Sequence, residues 1–143
     1  MTRPTETAAD AATVARLVLE RGHPFPLKRD VAGIFDALIG GLFPQLATQP
    51  ASGAEDLARR IEVACGHFGA VAAPLAEQPA DELASALLAA LPDVHGRSLA
   101  DAEAILAGDP AAESLDEVIA AYPGFLAMAA HRLAHAAHGL DVP

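Results

Sequence analysis

At 143 residues the chain is one domain's worth of sequence, long enough to bury a core. Nine Lys and Arg against nineteen Asp and Glu leave a formal charge of −10, which repels nucleic acid and anionic lipid surfaces rather than attracting them. The lone Cys65 excludes an intramolecular disulfide framework, and with no secretory leader and no uncharged apolar run of roughly 18 residues, a soluble, cytoplasmic protein is expected.

The composition is helix-forming: alanine-rich, with five Phe, one Tyr and no Trp. Each segment carries helical period and helical punctuation, and none alternates as a strand does. The expected fold is therefore all-α, with about six to eight helices in a single domain over residues 1–143. Residues 1–10 are polar, begin Thr2-Arg3-Pro4 and are expected to be mobile. A first helix is read over Ala8 to Arg21, with Val14, Leu17 and Val18 on one side and Gly22 plus "HPFP" as its stop. Pro26 opens a second, in which Leu27, Val31, Ile34, Phe35, Leu38 and Ile39 recur at three- and four-residue steps until Gly40, Gly41 and Pro44 break it.

Ser52 and Glu55 have the spacing of a capping box for a third helix, carrying Leu57, Ile61, Cys65 and Phe68 as far as Pro74. The stretch "PADELASALLAALP" reads as a fourth helix. Ser98 with Asp101 then caps a fifth, "LADAEAILA", stopped by Gly108 and Pro110. Ser114 and Glu117 cap a short helix, and Pro123 takes the first turn of the last helix, which is expected to run to Gly139.

On that last helix His131, His135 and His138 fall within about 60° of one another. Neutral imidazole is the commonest metal ligand, and an i, i+4 pair suits one ion. The His-Glu-x-x-His form is absent, however, because Arg132 follows His131, so the three rings are read as packing between helices, with no metal. Cys65 and His67 point to different sides of a helix and do not form a nucleophile–base pair. No Gly-rich phosphate loop occurs, and neither Ser98 nor Ser114 lies in a Gly-x-Ser-x-Gly elbow. Asp109 stands apart: "GDPAAES" sets a carboxylate in a turn between helices, before a proline that stiffens the backbone, and such a group either closes the turn or serves a ligand.

The Asp109-Pro110-Ala111 turn, the step "SLDEVIAAYPG" from Ser114 to Gly124 and "AHRLAHAAHGLDVP" from Ala130 to Pro143 occur in the order found at the end of the N-terminal helical domain of bacterial serine O-acetyltransferases. The chain resembles that family strongly over residues 83–143 and more weakly before. The resemblance implies a helical domain followed by a left-handed parallel β-helix of hexapeptide repeats. Together these transfer acetyl from acetyl-CoA to the L-serine hydroxyl, giving O-acetyl-L-serine in cysteine biosynthesis. The family's catalytic histidine and acetyl-CoA groove belong to the β-helix, so none of the six histidines here inherits the base role. Asp109 carries over as the residue that helps hold the substrate serine. His131, Arg132 and His135 also match, and are assigned to packing and hydrogen bonding. The sequence departs from many relatives after His135, where Ala136-Ala137 replaces an aromatic.

Because "HGLDVP" ends the sequence before a β-helix begins, the expectation is an acyltransferase fragment that is inactive alone, with no catalytic residue, metal or bound cofactor of its own. The alternative is an autonomous oligomerisation or interaction module, and the remotest reading is a His-based metal-binding domain. In the family, trimers form through the β-helix and are joined through the helical domain, which implies a dimer here, with Val31, Ile34, Phe35, Leu38 and Ile39 as its surface.

Overall fold

A computed structural model describes residues 10–20, 26 and 28–142, and these form six α-helices. They are α1 (Ala11–Glu20), α2 (Lys28–Leu42), α3 (Ala54–Ala72), α4 (Ala80–Gly108), α5 (Leu115–Ala121) and α6 (Pro123–His138). Single turns of 3-10 helix at Pro44–Leu46 and Ala73–Leu75 punctuate the paths from α2 to α3 and from α3 to α4. No strand occurs among the described residues, so the fold is all-α, as the periodicity predicts. Apart from Asp10, the expected mobile segment 1–10 lies outside the described residues, as does the Gly22 stop.

The long α4 is the spine: α3, α5 and α6 all pack on it, and α2 lies on α3. Its buried side chains Leu83, Leu87, Leu91, Val94, Ser98 and Ala102 succeed one another at steps of four, four, three, four and four, one unbroken face. Phe43, at the end of α2, meets Phe125 of α6 edge-on at 5.0 Å and stacks on His95 of α4 at 5.3 Å, so three elements meet on one aromatic ring. Leu38, Ile39, Cys65, Val118 and Leu133 complete the centre of the core.

That face explains why the expected fourth and fifth helices are one. Pro92 lies inside α4 on its exposed side, where the Leu88 carbonyl that loses its N–H partner can turn to water. An interior proline costs about 3 kcal/mol, whereas each fully buried Leu or Val contributes about 1.5–3 kcal/mol, so the continuous apolar face outweighs the break. Ser98 consequently does not cap a helix; it is fully buried in mid-helix.

Two further expectations are corrected. Gly40 and Gly41 do not end α2, which continues to Leu42; they are points of close approach, and a Cβ on Gly41 would lie 2.8 Å from Ile61 Cγ1 of α3. Gly69 of α3 is tighter still, with a Cβ position 2.0 Å from the Ala80 carbonyl oxygen at the start of α4. Nor do Ser52 and Glu55 form a capping box: α3 begins at Ala54 after Gly53, and the Ser52 amide donates to Asp56 Oδ2 at 3.0 Å. Asp56 also pairs with Arg59 and Arg60, so its position one residue deeper in the first turn serves more partners than Glu55 would.

The face assigned to self-association divides between roles. Leu38 and Ile39 are buried core, Ile34 and Phe35 are half-buried against it, and Val31 stays exposed. By contrast α1, started by Asp10 Oδ1 accepting from the Thr13 amide at 2.7 Å, buries none of its own side chains.

Candidate functional site

The candidate site is the turn that carries Asp109, and each of its contacts follows from how α4 stops. Asp109 is the C-cap of α4 in extended conformation, its amide donating to the Ile105 carbonyl at 3.0 Å. The extended backbone is the one a following proline favours, and Pro110 removes the next donor, which suits the stop of α4 at this point. The chain reverses instead: the Ala111 amide donates to Asp109 Oδ1 at 2.9 Å and the Ala112 amide to the Asp109 carbonyl at 3.1 Å.

Helix α5 starts four residues after Ala111. As the sequence predicts, Ser114 is its N-cap, with Oγ accepting from the Glu117 amide at 3.1 Å, while Glu117 Oε2 accepts from the Glu113 amide at 2.8 Å. Val118 and Ile119 bury one side of α5, and Gln45 Nε2 donates to Asp116 Oδ1 at 2.7 Å from the turn after α2. Tyr122 then serves two helices at once, as C-cap of α5 and N-cap of α6, with Pro123 in the first turn of α6 as expected.

Across this short hairpin the Tyr122 hydroxyl donates to Asp109 Oδ2 at 2.9 Å. Donation to the carboxylate, then burial, then the negative charges of Asp109 and Glu117 all push the phenol above its ordinary value. From Gly108 to Tyr122 the chain carries Asp109, Glu113, Asp116 and Glu117 and no cation. A half-buried carboxylate, fixed in plane and set in a negative surrounding, has the chemistry to accept a hydrogen bond from an ammonium or hydroxyl donor. The turn-closing role and the ligand role are compatible, because each oxygen keeps a lone pair after its one contact.

The three histidines are placed differently from expectation. His131, His135 and His138 are all exposed rather than packed between helices, and the rings of His131 and His135 stack on each other with centroids 6.4 Å apart. His131 and His135 border a cleft of about 490 Å³ between α4 and α6 that also holds Asp93, Arg97 and Arg132. No group of three or more His, Cys, Asp or Glu among the described residues is arranged to hold a metal ion.

Arg132 does bond as assigned: it chelates Asp101 of α4 through Nε and Nη2, and this guanidinium holds the Asp101 carboxyl below the usual range. Asp101 is therefore a bridge between α4 and α6 rather than the cap partner of Ser98. Cys65 lies fully in the core, where burial pushes its thiol up to about 11, leaving it protonated at neutral pH and unfit as a nucleophile. Sequence reasoning missed Tyr122. Its signal was faint: the only tyrosine, placed before the proline that opens a helix.

No helix among the described residues is long and apolar enough to cross a membrane. No protein-family model and no solved structure matches the chain. Among curated proteins it is similar to the plasmid serine acetyltransferase of Synechococcus elongatus, with 42% identity over 66 residues. Those residues are 46% of this chain and 21% of the relative, so the chain spans about a fifth of the length of the curated protein it matches. Over that stretch the chain is related to a serine acetyltransferase.

Proposed function

We propose that these residues are the N-terminal helical domain of a serine O-acetyltransferase, which moves acetyl from acetyl-CoA to the L-serine hydroxyl to give O-acetyl-L-serine in cysteine biosynthesis. The observation that carries this reading is the 42% identity over 66 residues to a serine acetyltransferase. The all-α fold and the order of the motifs from Asp109 to the last helix agree with it. In the reaction the serine oxygen attacks the thioester carbonyl, its proton passes to a base, and the coenzyme A thiol leaves. On the family pattern the base and the acetyl-CoA groove belong to a β-helix. The part assigned to this domain is binding: Asp109 accepts a charge-assisted hydrogen bond from the substrate serine and fixes its orientation.

The residues described here hold no thioester site by this reading, so the chain by itself is expected to be inactive. Serine-dependent consumption of acetyl-CoA, followed as thiol release, tests it. No turnover by the chain alone, and turnover on mixing with a hexapeptide-repeat β-helix polypeptide, is the expected result. Turnover by the chain alone would overturn the division of labour, and no rescue by a β-helix partner would overturn the family assignment.

A second reading, an autonomous self-association module of the cytoplasm, is favoured by one observation: α1 presents Val14, Leu17, Val18 and Leu19 to solvent. The two readings are compatible, since Val14, Leu17, Val18 and Leu19 of α1 are not among the residues that hold Asp109.

A further inference from the structure

The Asp109 carboxylate is held at two points, and only one is local. The Ala111 amide on Oδ1 is a turn contact two residues along the chain. The Tyr122 hydroxyl on Oδ2 arrives from 13 residues away, across the whole of α5. Tyr122 is itself well anchored: its amide donates to the Val118 carbonyl at 3.2 Å, and its carbonyl accepts from the Phe125 amide at 3.1 Å. Val118 and Phe125 are both fully buried, so the phenol is presented from a backbone fixed to the core.

We propose that Tyr122 is the positioning residue of Asp109: with the Ala111 amide it sets the rotation and plane of the carboxylate, leaving one lone pair on each oxygen to the ammonium or hydroxyl of the substrate serine. An ionised carboxylate offers about four lone-pair sites, and one contact on each oxygen leaves two. A carboxylate free to rotate would lose that freedom on binding, whereas one already held does not, which is the advantage of preorganisation. The four carboxylates from Asp109 to Glu117 add a field that attracts an ammonium without placing it; the tyrosine contact supplies the placement. This inference rests on the reading of Asp109 as the serine-holding group.

Tyr122 is the chain's only tyrosine and there is no tryptophan, so near-ultraviolet absorbance reports on this hydroxyl alone. As pH is raised, with helicity followed by circular dichroism, the phenol of the native chain is expected to ionise above the ordinary tyrosine value of about 10, and closer to it in Asp109→Ala. Ionisation at the ordinary value in the folded protein overturns the proposal. In the acetyl-transferring assembly with the β-helix polypeptide, Tyr122→Phe is expected to raise KM for serine about three- to tenfold, with kcat and KM for acetyl-CoA unchanged. On an Asp109→Ala background the same substitution is expected to have no further effect. A Tyr122→Phe effect that persists without Asp109, or that falls equally on both substrates, overturns the positioning role in favour of general support of the fold. If Asp109→Ala leaves KM for serine unchanged, the serine reading of Asp109 fails and this role with it. The phenol would still ionise late in that case, which tells the two failures apart.

Discussion

Asp101 and Arg132 join α4 to α6 through a two-pronged ion pair, and the sign of its pH dependence follows from the carboxyl. The Asp101 carboxyl is lowered in the folded protein by the guanidinium, so the pair's contribution is fully present above the unfolded value of about 3.9 and is lost as pH falls through the folded value. Asp101→Asn is expected to lower the melting temperature at neutral pH, with the gap to wild type narrowing below about pH 4. A gap that persists unchanged into acid would show that shape rather than charge holds the two helices. At the same scale, the Ser114 cap is expected to contribute about 1 kcal/mol, read as the urea midpoint of Ser114→Ala. Residue roles were legible where they are local. Ser114 with Glu117, and a carboxylate stiffened by Pro110, are patterns within four residues. Tyr122 to Asp109 and Arg132 to Asp101 were not, because those bonds span 13 and 31 positions and depend on where helices return. The histidine stripe was legible as a stripe, but its exposure depends on where α4 lies relative to α6, which helical spacing does not contain.

Elements were legible wherever a breaker and the apolar pattern agreed. Helix α6 opens at Pro123 and closes before Gly139, and α5 begins after Ser114, as the sequence predicts. Where the two signals conflicted, burial decided: Pro92 reads as an end, yet the face from Leu83 to Ala102 runs past it. Since Pro92 is exposed and its ring only removes a bond to the Leu88 carbonyl, Pro92→Ala is expected to stabilise the protein by about 1–3 kcal/mol in thermal or urea unfolding. A loss of stability instead would mean that a bend at Pro92 is what fits α4 to both α3 and α6. Glycines separate in the same way. Gly69→Ala must push Ala80 away and is expected to destabilise by about 1–3 kcal/mol or more. Gly66→Ala and Gly96→Ala, in exposed helix interiors with no neighbour within 4 Å, are expected to stabilise by about 0.5–1 kcal/mol each. Composition cannot make that distinction, because all three are glycines inside helical runs and only the crossing of α3 with the start of α4 sets Gly69 apart.

At the scale of the whole molecule, α1 and the start of α2 leave apolar side chains exposed. The self-association face read from the sequence is half consumed, since Leu38 and Ile39 lie in the core at 1% and 3% exposure. What remains outside is Val31 at 49%, together with Val14 at 49%, Leu17 at 57% and Val18 at 65% on one side of α1, and Leu19 at 78% beyond that side. Side chains of this kind, repeated along one short amphipathic helix, gain roughly 25 cal/mol per Å² when a second apolar surface removes them from water. We propose a second copy as the partner for this surface, because like faces meet about a two-fold axis and the contact closes at two. Opposing it is the charge of −10 on each copy, whose repulsion is long-ranged at low ionic strength and shortened to about 10 Å at 0.1 M salt. The expected behaviour is therefore a dimer that forms with concentration and is strengthened, not weakened, by salt. Sedimentation equilibrium at two ionic strengths measures both dependences, and Leu17→Glu, which puts a like charge at the centre of the apolar ridge without touching the core, is expected to return the protein to monomer. A stable trimer would overturn the argument, since a three-fold contact is the one the family resemblance assigns to the β-helix. A monomer at high salt and high concentration would show instead that the ridge of α1 is too small, after its ordering entropy, to hold two copies together.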